Sequence, residues 1–488
     1  MDVNCTLSEA VLTETALGLV PAFTDILASC AGDFEAAERE CLAAGHRVLA
    51  RALGLALERR DGELCSSLPE GARIHDRRSR ALSTTVGDVA FTYTRCRDER
   101  GGTVVPLADD LDLAWGARIS PAARAFLLEA GAEVSYKRSA DLLERAGGSA
   151  VSAQSVMRIV HRAGQLCADE DAAAAESFCD YGVLPDADCV APEICVESDG
   201  TYFKLQGCEE ADSVEVRAIV AYAGKVEDGG RTLRARAVRH GCVGPVRSFW
   251  EESTAAVGTR FDLSKVERVH MGSDGEACYL GGFLRIGADR DANIDPFHVN
   301  RKVMSCFGPD AREISNNILG MVIDGYAAEA ADCVEMAGAM GLANRCWPEV
   351  ADYLRNNAEC IYRPGAASLG TMEAEQQHVY GARMDSVPCG WSVRGADAMA
   401  RVRSRRASQR ELPRLTREMS VTPRRKKRAE RLAAEAERRS ARAIPTASRV
   451  PLSVGRGRGA EHTASLVGAP ANVRYAAGVD SGMVAIGW

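Results

Sequence analysis

The sequence has few features of a secreted, zinc-finger or membrane protein. Its 17 cysteines include no Cys-x-x-Cys pair and no histidine partner at zinc-finger spacing, which favours scattered reduced thiols over a zinc site or a disulfide framework. No apolar run reaches the roughly 18 residues of a membrane helix. The first residues are acidic and their short apolar run is cut at Pro21, which fits no signal peptide. We therefore expect a cytoplasmic protein with no membrane partner.

Positive charge is also scarce overall, because the 488 residues carry a formal net charge of −8. The exception is local: residues 401–443 hold 16 Arg and Lys against five Glu, a net charge of +11, so the rest of the chain carries −19. The densest basic run consists of Arg424, Arg425, Lys426, Lys427 and Arg428. Such a run is either a solvated helix face or a clamp on DNA phosphates. We predict that these five residues contact DNA.

The period of the apolar residues changes along the N-terminal part of the chain. Residues 1–70 are predicted to be helical, because Leu42, Leu49 and Leu53 recur at roughly helical spacing among charged residues. In residues 71–115, apolar residues two apart follow a Gly-Asp turn. This alternation predicts a β-hairpin.

Residues 116–166 have the pattern of a helix-turn-helix. A helix, the turn at Gly147–Gly148 and a second helix starting at Ser152 follow one another. Many helical hairpins share this spacing and bind nothing, but the second helix offers side-chain types that contact bases and phosphates. The predicted DNA contacts on it are Gln154, Ser155, Arg158 and Arg162.

Two aspartates follow the next boundary, which is predicted as a loop over residues 167–192. Asp199 is expected at the end of the first strand of a β-rich block and Asp274 at the end of a later apolar strand, each followed by glycine. Rigid strand ends with a following glycine let a substrate approach closely. Mg²⁺ prefers carboxylate oxygens, and two such ions can serve an in-line phosphoryl transfer. Asp-Gly is also a common turn dipeptide, so a structural role for each aspartate is the alternative.

An ordered series of motifs runs from about Arg80 to Arg403. It comprises TTVGDVAFTYTRCRD, PLADDLDL, ISPAARAFLLEAGAEVSYKRSADLLE, VSAQSVMRIV, VESDGTYFKLQ, GSDGEACYL, DPFHVNRKV, GTMEAEQQHVYGARM and GWSVRGADAMARVR. In these motifs the chain resembles the insertion-sequence transposases of the ISLre type, relatives of the Mutator-like group. The resemblance implies a DNA transposase with an RNase H-like catalytic domain.

The resemblance also implies a DDE triad of Asp199, Asp274 and Glu373 that holds two Mg²⁺ or Mn²⁺ ions. Asp199 would bridge both ions, and the other two acids would each hold one. In related transposases a Cys or Asp stands three residues before a His, and Asp295 and His298 fit that pattern. His298 would orient a phosphate or water; a structural hydrogen bond at the start of a helix is the alternative.

Glu375 competes with Glu373 for the third position of the triad. Residues i and i+2 face different sides of a helix, so only one of the two can join the site. Further along, Arg383 and Arg394 are predicted DNA contacts. Trp391 is either a base-stacking residue or a buried structural one.

The predicted fold is mixed α/β, with an RNase H-like core, an all-α insertion, and a preceding helical and helix-turn-helix region with a small β-hairpin. Asp274 and Glu373 are 99 positions apart, which is more than a compact RNase H-like core needs and implies the insertion. The predicted catalytic domain covers 190–299 and 363–403, the insertion 300–362, a basic helical segment 404–443 and a loosely ordered tail 444–488.

The resemblance implies an enzyme that binds the ends of its own element in double-stranded DNA. It would cut each end to expose a 3′-hydroxyl and join it to target DNA, acting as a homo-oligomer. Two alternatives stand beside it: a non-catalytic DNA-binding or regulatory protein derived from a transposase, and a simple metal-dependent nuclease that cuts without joining.

Overall fold

The structure is a computed structural model that describes part of the chain. The described residues are 9–113, 117–207, 211–229, 231–280, 288–361, 369, 372–385 and 389–415. The five residues of the predicted basic clamp and the tail 444–488 lie outside them. Within these ranges every helix is too short or too polar to cross a lipid bilayer.

The architecture is mixed α/β, as predicted, and it falls into two compact units. One unit is built from the chain up to Ile159, and the other from Val160 to Pro413.

The first unit pairs helices with a β-hairpin. Its first helices are α1 (Glu9–Ser29) and α2 (Phe34–Ser66), and its strands are β1 (Arg73–Thr84), β2 (Gly87–Arg97) and β3 (Thr103–Val104). β1 and β2 are antiparallel, with Thr84 opposite Gly87 at the turn. Leu82, Val89 and Phe91 of the hairpin form a core with Ala50 of α2. The predicted helical region and the predicted hairpin are both confirmed.

Four further helices follow the hairpin in sequence. They are α3 (Pro106–Asp110), α4 (Pro121–Glu133), α5 (Tyr136–Gly147) and α6 (Ala153–Tyr181). Gly148 ends α5 with φ +67°, a conformation that glycine adopts without strain. The two helices and the glycine turn of the predicted helix-turn-helix are therefore present. The prediction of a loop from residue 167 was wrong, because an alanine-rich, helix-favouring stretch extends α6 to Tyr181.

A five-stranded mixed sheet is the centre of the second unit. Its strands are β4 (Glu193–Lys204), β5 (Ser213–Tyr222), β8 (Val238–Cys242), β9 (Arg268–Ser273) and β10 (Asp289–Ile294), in the order β10-β9-β4-β5-β8. β4 is parallel to β9, and β9 to β10, whereas β5 is antiparallel to β4 and β8. A separate hairpin, β6 (Lys225–Asp228) with β7 (Arg231–Arg234), lies between β5 and β8 in sequence.

One expectation about this sheet was wrong. The segments EICVESDG and TYFKLQ form the single strand β4, in which Gly200 stays extended and pairs with Arg217 of β5. Asp199 therefore lies inside the strand and not at its end.

Helices follow the sheet strands. They are α7 (Val246–Gly258), α8 (Ala277–Leu280), α9 (Pro296–Cys306), α10 (Arg312–Ile323), α11 (Ala327–Ala339), α12 (Trp347–Asn356), α13 (Met372–Glu375), α14 (Ala382–Met384) and α15 (Val393–Ala407), with a 3₁₀ turn at Pro309–Ala311 and a π-helical turn at Gln376–Gly381. The prediction that residues 300 to about 362 are largely helical is confirmed by α9 to α12. Residues of these helices form a second apolar core with β10.

Candidate metal centre

Three aspartates meet at the carboxyl edge of the parallel strands. The pairing of β4 with β9 ends at Glu197 opposite Gly272, and Asp199 lies two residues beyond that point. Asp274 directly follows β9, and Asp295 directly follows β10. Because parallel strands end at the same edge of a sheet, the topology itself brings these carboxylates together. All three line one small cavity.

Asp199 and Asp274 are partly buried at this edge. Burial, and then the neighbouring Asp274, raise the pKa of Asp199 to about 7. Burial also raises the pKa of Asp274. Gly200 donates its backbone N–H to Asp199 Oδ1 at 2.8 Å, and Glu276 does so to Asp274 Oδ1 at 2.8 Å. These bonds orient the carboxylates without neutralising them.

His298 and Glu373 are in close contact beside the aspartates. Asp295 caps the start of α9, and its Oδ1 accepts the N–H of Phe297 at 2.9 Å, which places His298 in the first turn. His298 Nε2 lies 2.7 Å from Glu373 Oε1. This contact raises the pKa of His298 and lowers that of Glu373. Ligand atoms of Asp295, His298 and Glu373 all lie within 4.8 Å of one another.

The structure distinguishes Glu373 from Glu375. The side chain of Glu375 is buried and receives two hydrogen bonds from Arg239, Nε to Oε2 at 2.6 Å and Nη2 to Oε1 at 2.9 Å. Arg234 also pairs with it. Burial alone would raise the pKa of Glu375, but Arg239 and Arg234 lower it below its ordinary value. Glu375 therefore already has two arginine partners, whereas Glu373 lies beside the aspartates.

The donor set fits a hard divalent cation. Among the residues that the structure describes, neither Asp199 nor Asp274 has an Arg or Lys partner in an ion pair. His298 lowers the pKa of both acids and Lys302 lowers that of Asp274, but burial outweighs these effects, so ionising the two carboxylates remains costly. A hard cation with oxygen ligands would supply positive charge that offsets this cost. Asp199 and Asp274 would hold it from the cavity that they line with Asp295 and His298, and Glu373, whose ligand atoms lie within 4.8 Å of those of Asp295 and His298, is the candidate third ligand.

The helix-turn-helix residues lie on the first turns of α6. Gln154 and Arg158 are exposed, and Ser155 and Arg162 are partly exposed. Ser155 also has a local role, since its N–H bonds Ser152 Oγ at 3.1 Å at the start of the helix. The placement leaves these side chains accessible to a partner.

The predicted contacts after Glu373 divide into buried and exposed residues. Arg383 is buried and its guanidinium lies over the Trp391 ring, 5.1 Å from the centroid. A guanidinium stacked inside the protein does not reach a phosphate, so the DNA contact assigned to Arg383 is corrected to a packing role. Trp391 is buried and its Nε1 donates to the carbonyl of Met384 at 3.0 Å, which confirms the structural alternative. Arg394 is exposed.

Sequence reasoning missed two residues that hold the site in place. Tyr353 of α12 donates its hydroxyl to the main-chain carbonyl of Asp274 at 2.8 Å. Gln376 donates its side-chain amide to the carbonyl of Asp199 at 3.1 Å, and it stands in the π-helical turn directly after Glu375. No signal in a single sequence links α12 to Asp274. Gln376 could have been noticed, because it lies three residues after Glu373 in the motif GTMEAEQQH.

The fold and this edge define a mixed α/β protein with a cluster of acidic residues at the carboxyl ends of parallel strands. The chain belongs to the uncharacterised protein family UPF0236, whose profile matches residues 43–415. Two relatives are UPF0236 proteins of Caldanaerobacter subterraneus subsp. tengcongensis, each 22% identical, over 330 and 331 residues. Each match covers 66% of this chain and 66% of the relative, so the chain spans slightly less than two thirds of their length. The first relative's name joins eleven TTE designations.

Proposed function

We propose that this protein is a DDE transposase, a metal-dependent polynucleotidyl transferase that cleaves DNA and joins the ends to a target. The observation that carries the proposal is that Asp199 and Asp274 line one cavity with His298, whose Nε2 lies 2.7 Å from Glu373 Oε1, although these residues come from distant parts of the sequence. Sites for phosphoryl transfer need carboxylates of this kind to hold metal ions against a phosphate.

The strand arrangement supports an RNase H-like core. Three strands in antiparallel order, β4, β5 and β8, and two parallel strands added beside β4 are the pattern expected of that fold. The helices α10 to α12 stand between β10 and the helix of Glu373. We take them as the insertion that the spacing of the acids requires.

The acids have separate tasks in this proposal. Asp199, Asp274 and Glu373 would hold two Mg²⁺ or Mn²⁺ ions, which when bound supply activation of a water or 3′-hydroxyl and stabilise the leaving oxygen. Glu373 favours the charged form of His298, and a charged imidazolium can bind and orient an anionic phosphate. Tyr353 and Gln376 hold the backbone of the two aspartates, so the carboxylates are positioned before substrate arrives.

DNA binding and assembly belong to the same proposal. The accessible Gln154, Ser155, Arg158 and Arg162 would contact the element ends in double-stranded DNA, with Arg394 as a further contact. Two ends must be joined to one target, so a homo-oligomer acting in the cytoplasm is expected. We read the eleven designations of one relative as copies of one gene, and multiple copies in one organism are what a mobile element produces.

The test uses the purified full-length protein, DNA that carries the sequence flanking its gene, and a plasmid target. With Mg²⁺ or Mn²⁺ we expect nicked donor and joined product, and neither product in EDTA. Asp199→Asn and Asp274→Asn are expected to lower both by roughly 100-fold or more. Asp352→Asn, at a side chain 72% exposed on α12, is the matched control and should match the parent.

Each other outcome contradicts the proposal in a different way. Cutting without joining would indicate a nuclease. Binding with neither reaction would indicate a non-catalytic DNA-binding protein. Parent-like cutting and joining by both Asn variants would falsify the metal-ligand assignment.

A further inference from the structure

A groove beside the metal centre has walls to which the proposed function assigns no task. It has a volume of about 500 Å³, and Asp199, Asp274 and His298 line one part of it. Its lining also includes Tyr202 of β4 and Arg301 and Lys302 of α9. The groove therefore continues from the acids onto a surface of different chemistry.

One face of α9 supplies the basic wall. His298, Arg301, Lys302 and Ser305 follow one another at the i, i+3, i+4 and i+7 spacing of a single helix face. Arg301 and Lys302 are exposed. The Lys302 Nζ lies 4.6 Å from the centroid of the Tyr353 ring, an attractive contact that holds the ammonium near the site. The wall next to His298 is thus positively charged.

Tyr202 supplies an aromatic surface. Its side chain is 66% exposed, although it belongs to a strand whose first half is buried. A single exposed aromatic needs no explanation on an ordinary surface. Here it lines the same groove as two exposed cations and three groups of the metal centre, and aromatic rings beside basic grooves are the usual stacking surfaces for unpaired bases.

Two further acids, Glu215 and Glu276, line the groove, but they do not cancel the positive charge of the α9 wall. Glu215 is already engaged, since Tyr279 donates its hydroxyl to Glu215 Oε1 at 2.5 Å and Arg217 pairs with its other oxygen. Glu276 also lines the groove and is exposed, so solvent and salt screen its charge. A nucleotide in the groove would therefore place its phosphate along α9 and its base toward Tyr202.

We propose that this groove binds an unpaired DNA nucleotide next to the phosphate that reacts, with Arg301 and Lys302 contacting its phosphate and Tyr202 stacking on its base. The inference rests on the proposed function and names the form of DNA that its site takes. A space of about 500 Å³ is in the range of small-molecule pockets, so it suits about one or two nucleotides and not a length of duplex.

The experiment compares a fluorescent short duplex that carries a single-stranded 3′ tail with the same duplex without the tail. Binding is measured with the full-length protein in Ca²⁺ buffer over a range of salt concentrations. Tyr202→Ala is expected to weaken binding of the tailed DNA by about 5- to 100-fold and to leave the blunt duplex unchanged, whereas Tyr202→Phe keeps the ring and the affinity. Tyr326→Ala, at another exposed tyrosine, is the control and should bind both DNAs like the parent.

Two further measurements test the basic wall of α9 and the aromatic surface of Tyr202 separately. Arg301→Ala and Lys302→Ala should each reduce the slope of log affinity against log salt by about 0.7 for the tailed DNA, and Lys265→Ala, at an exposed lysine before β9, should not. A 2-aminopurine in the tail should lose fluorescence on binding to the parent and keep it with Tyr202→Ala.

The outcomes distinguish this inference from the proposed function. If the parent cuts and joins DNA but Tyr202→Ala binds the tailed DNA like the parent, the groove assignment is wrong and the transposase stands. If tail binding depends on Tyr202 but no metal supports cleavage, the groove stands and the transposase fails. Tighter binding of an RNA tail than of the DNA tail would overturn the assignment to DNA.

Discussion

Replacing Asp199 by asparagine is expected to stabilise the metal-free protein at neutral pH. The pKa of Asp199 rises from its ordinary 3.8 to about 7 on folding, first through burial and then through Asp274. Each pKa unit corresponds to 1.36 kcal/mol between the protonation states, so the shift sets an upper limit of about 4 kcal/mol on the cost of ionising this side chain. Asp199 keeps partial contact with solvent, and we expect a gain of about 1 to 4 kcal/mol in the free energy of unfolding.

The sign follows from proton binding. Because the pKa of the folded state lies above that of the unfolded chain, the folded protein binds more protons between pH 4 and 7. The contribution of Asp199 to stability is therefore fully present below about pH 4 and is lost as the pH rises through 7. Asparagine does not titrate, so the variant should lack this loss. Its side-chain oxygen can still accept the N–H of Gly200.

The assay is urea unfolding in EDTA, followed by tryptophan fluorescence, at pH 5 and pH 8. Trp250 and Trp391 are buried in the unit that contains the site. From pH 5 to pH 8 the free energy of unfolding of the parent should fall relative to that of Asp199→Asn. Saturating Mg²⁺ should raise the free energy of unfolding of the parent but not that of the variant. A variant less stable than the parent at pH 8, or a difference independent of pH, would refute the argument that Asp199 is an uncompensated carboxylate.

Two further predictions concern residues near the acids. Glu375→Gln should lower the free energy of unfolding by about 3 kcal/mol in the same urea assay, because it removes the buried carboxylate that pairs with Arg239 and Arg234. Glu373→Gln is the control. An equal loss of stability in both variants would contradict the structural role assigned to Glu375. Tyr353→Phe removes the hydroxyl that donates to the carbonyl of Asp274. It should weaken Mn²⁺ binding, measured by calorimetry, by roughly 10-fold and lower the free energy of unfolding by only about 1 kcal/mol. Tyr326→Phe is the control and should change neither quantity.

Local sequence pattern predicted most of the elements and part of the site. The hairpin, the glycine turn before α6 and the helices of residues 300–362 follow from residue period and turn chemistry, which are local properties. The predicted ends of some elements were wrong where the local sequence pattern was misleading. Gly200 suggested a turn after Asp199, but pairing with Arg217 on β5 keeps the strand extended, and this pairing depends on residues distant in sequence.

Pairing between distant residues also decided which acids and arginines face the site. Glu373 and Glu375 are two residues apart, and partners distant in sequence separate them: Arg234 and Arg239 pair with Glu375, and His298 contacts Glu373. Arg383 has the composition of a DNA contact, but its position over Trp391 buries it. Tyr353 reaches Asp274 from another helix. Contacts of this kind require the tertiary structure.

The way in which buried acids are compensated is itself an argument for where a ligand binds. In the second unit Asp171 and Glu252 pair with Arg401, Glu215 pairs with Arg217, and Glu375 pairs with Arg239. Among the described residues, Asp199 and Asp274 are partly buried without such an arginine, and burial raises the pKa of both. Arg301 and Lys302 line the groove beside these acids, but among the described residues neither forms an ion pair with Asp199 or Asp274. The proposed function assigns a divalent cation as the partner of these two carboxylates, and such a cation would supply positive charge between them.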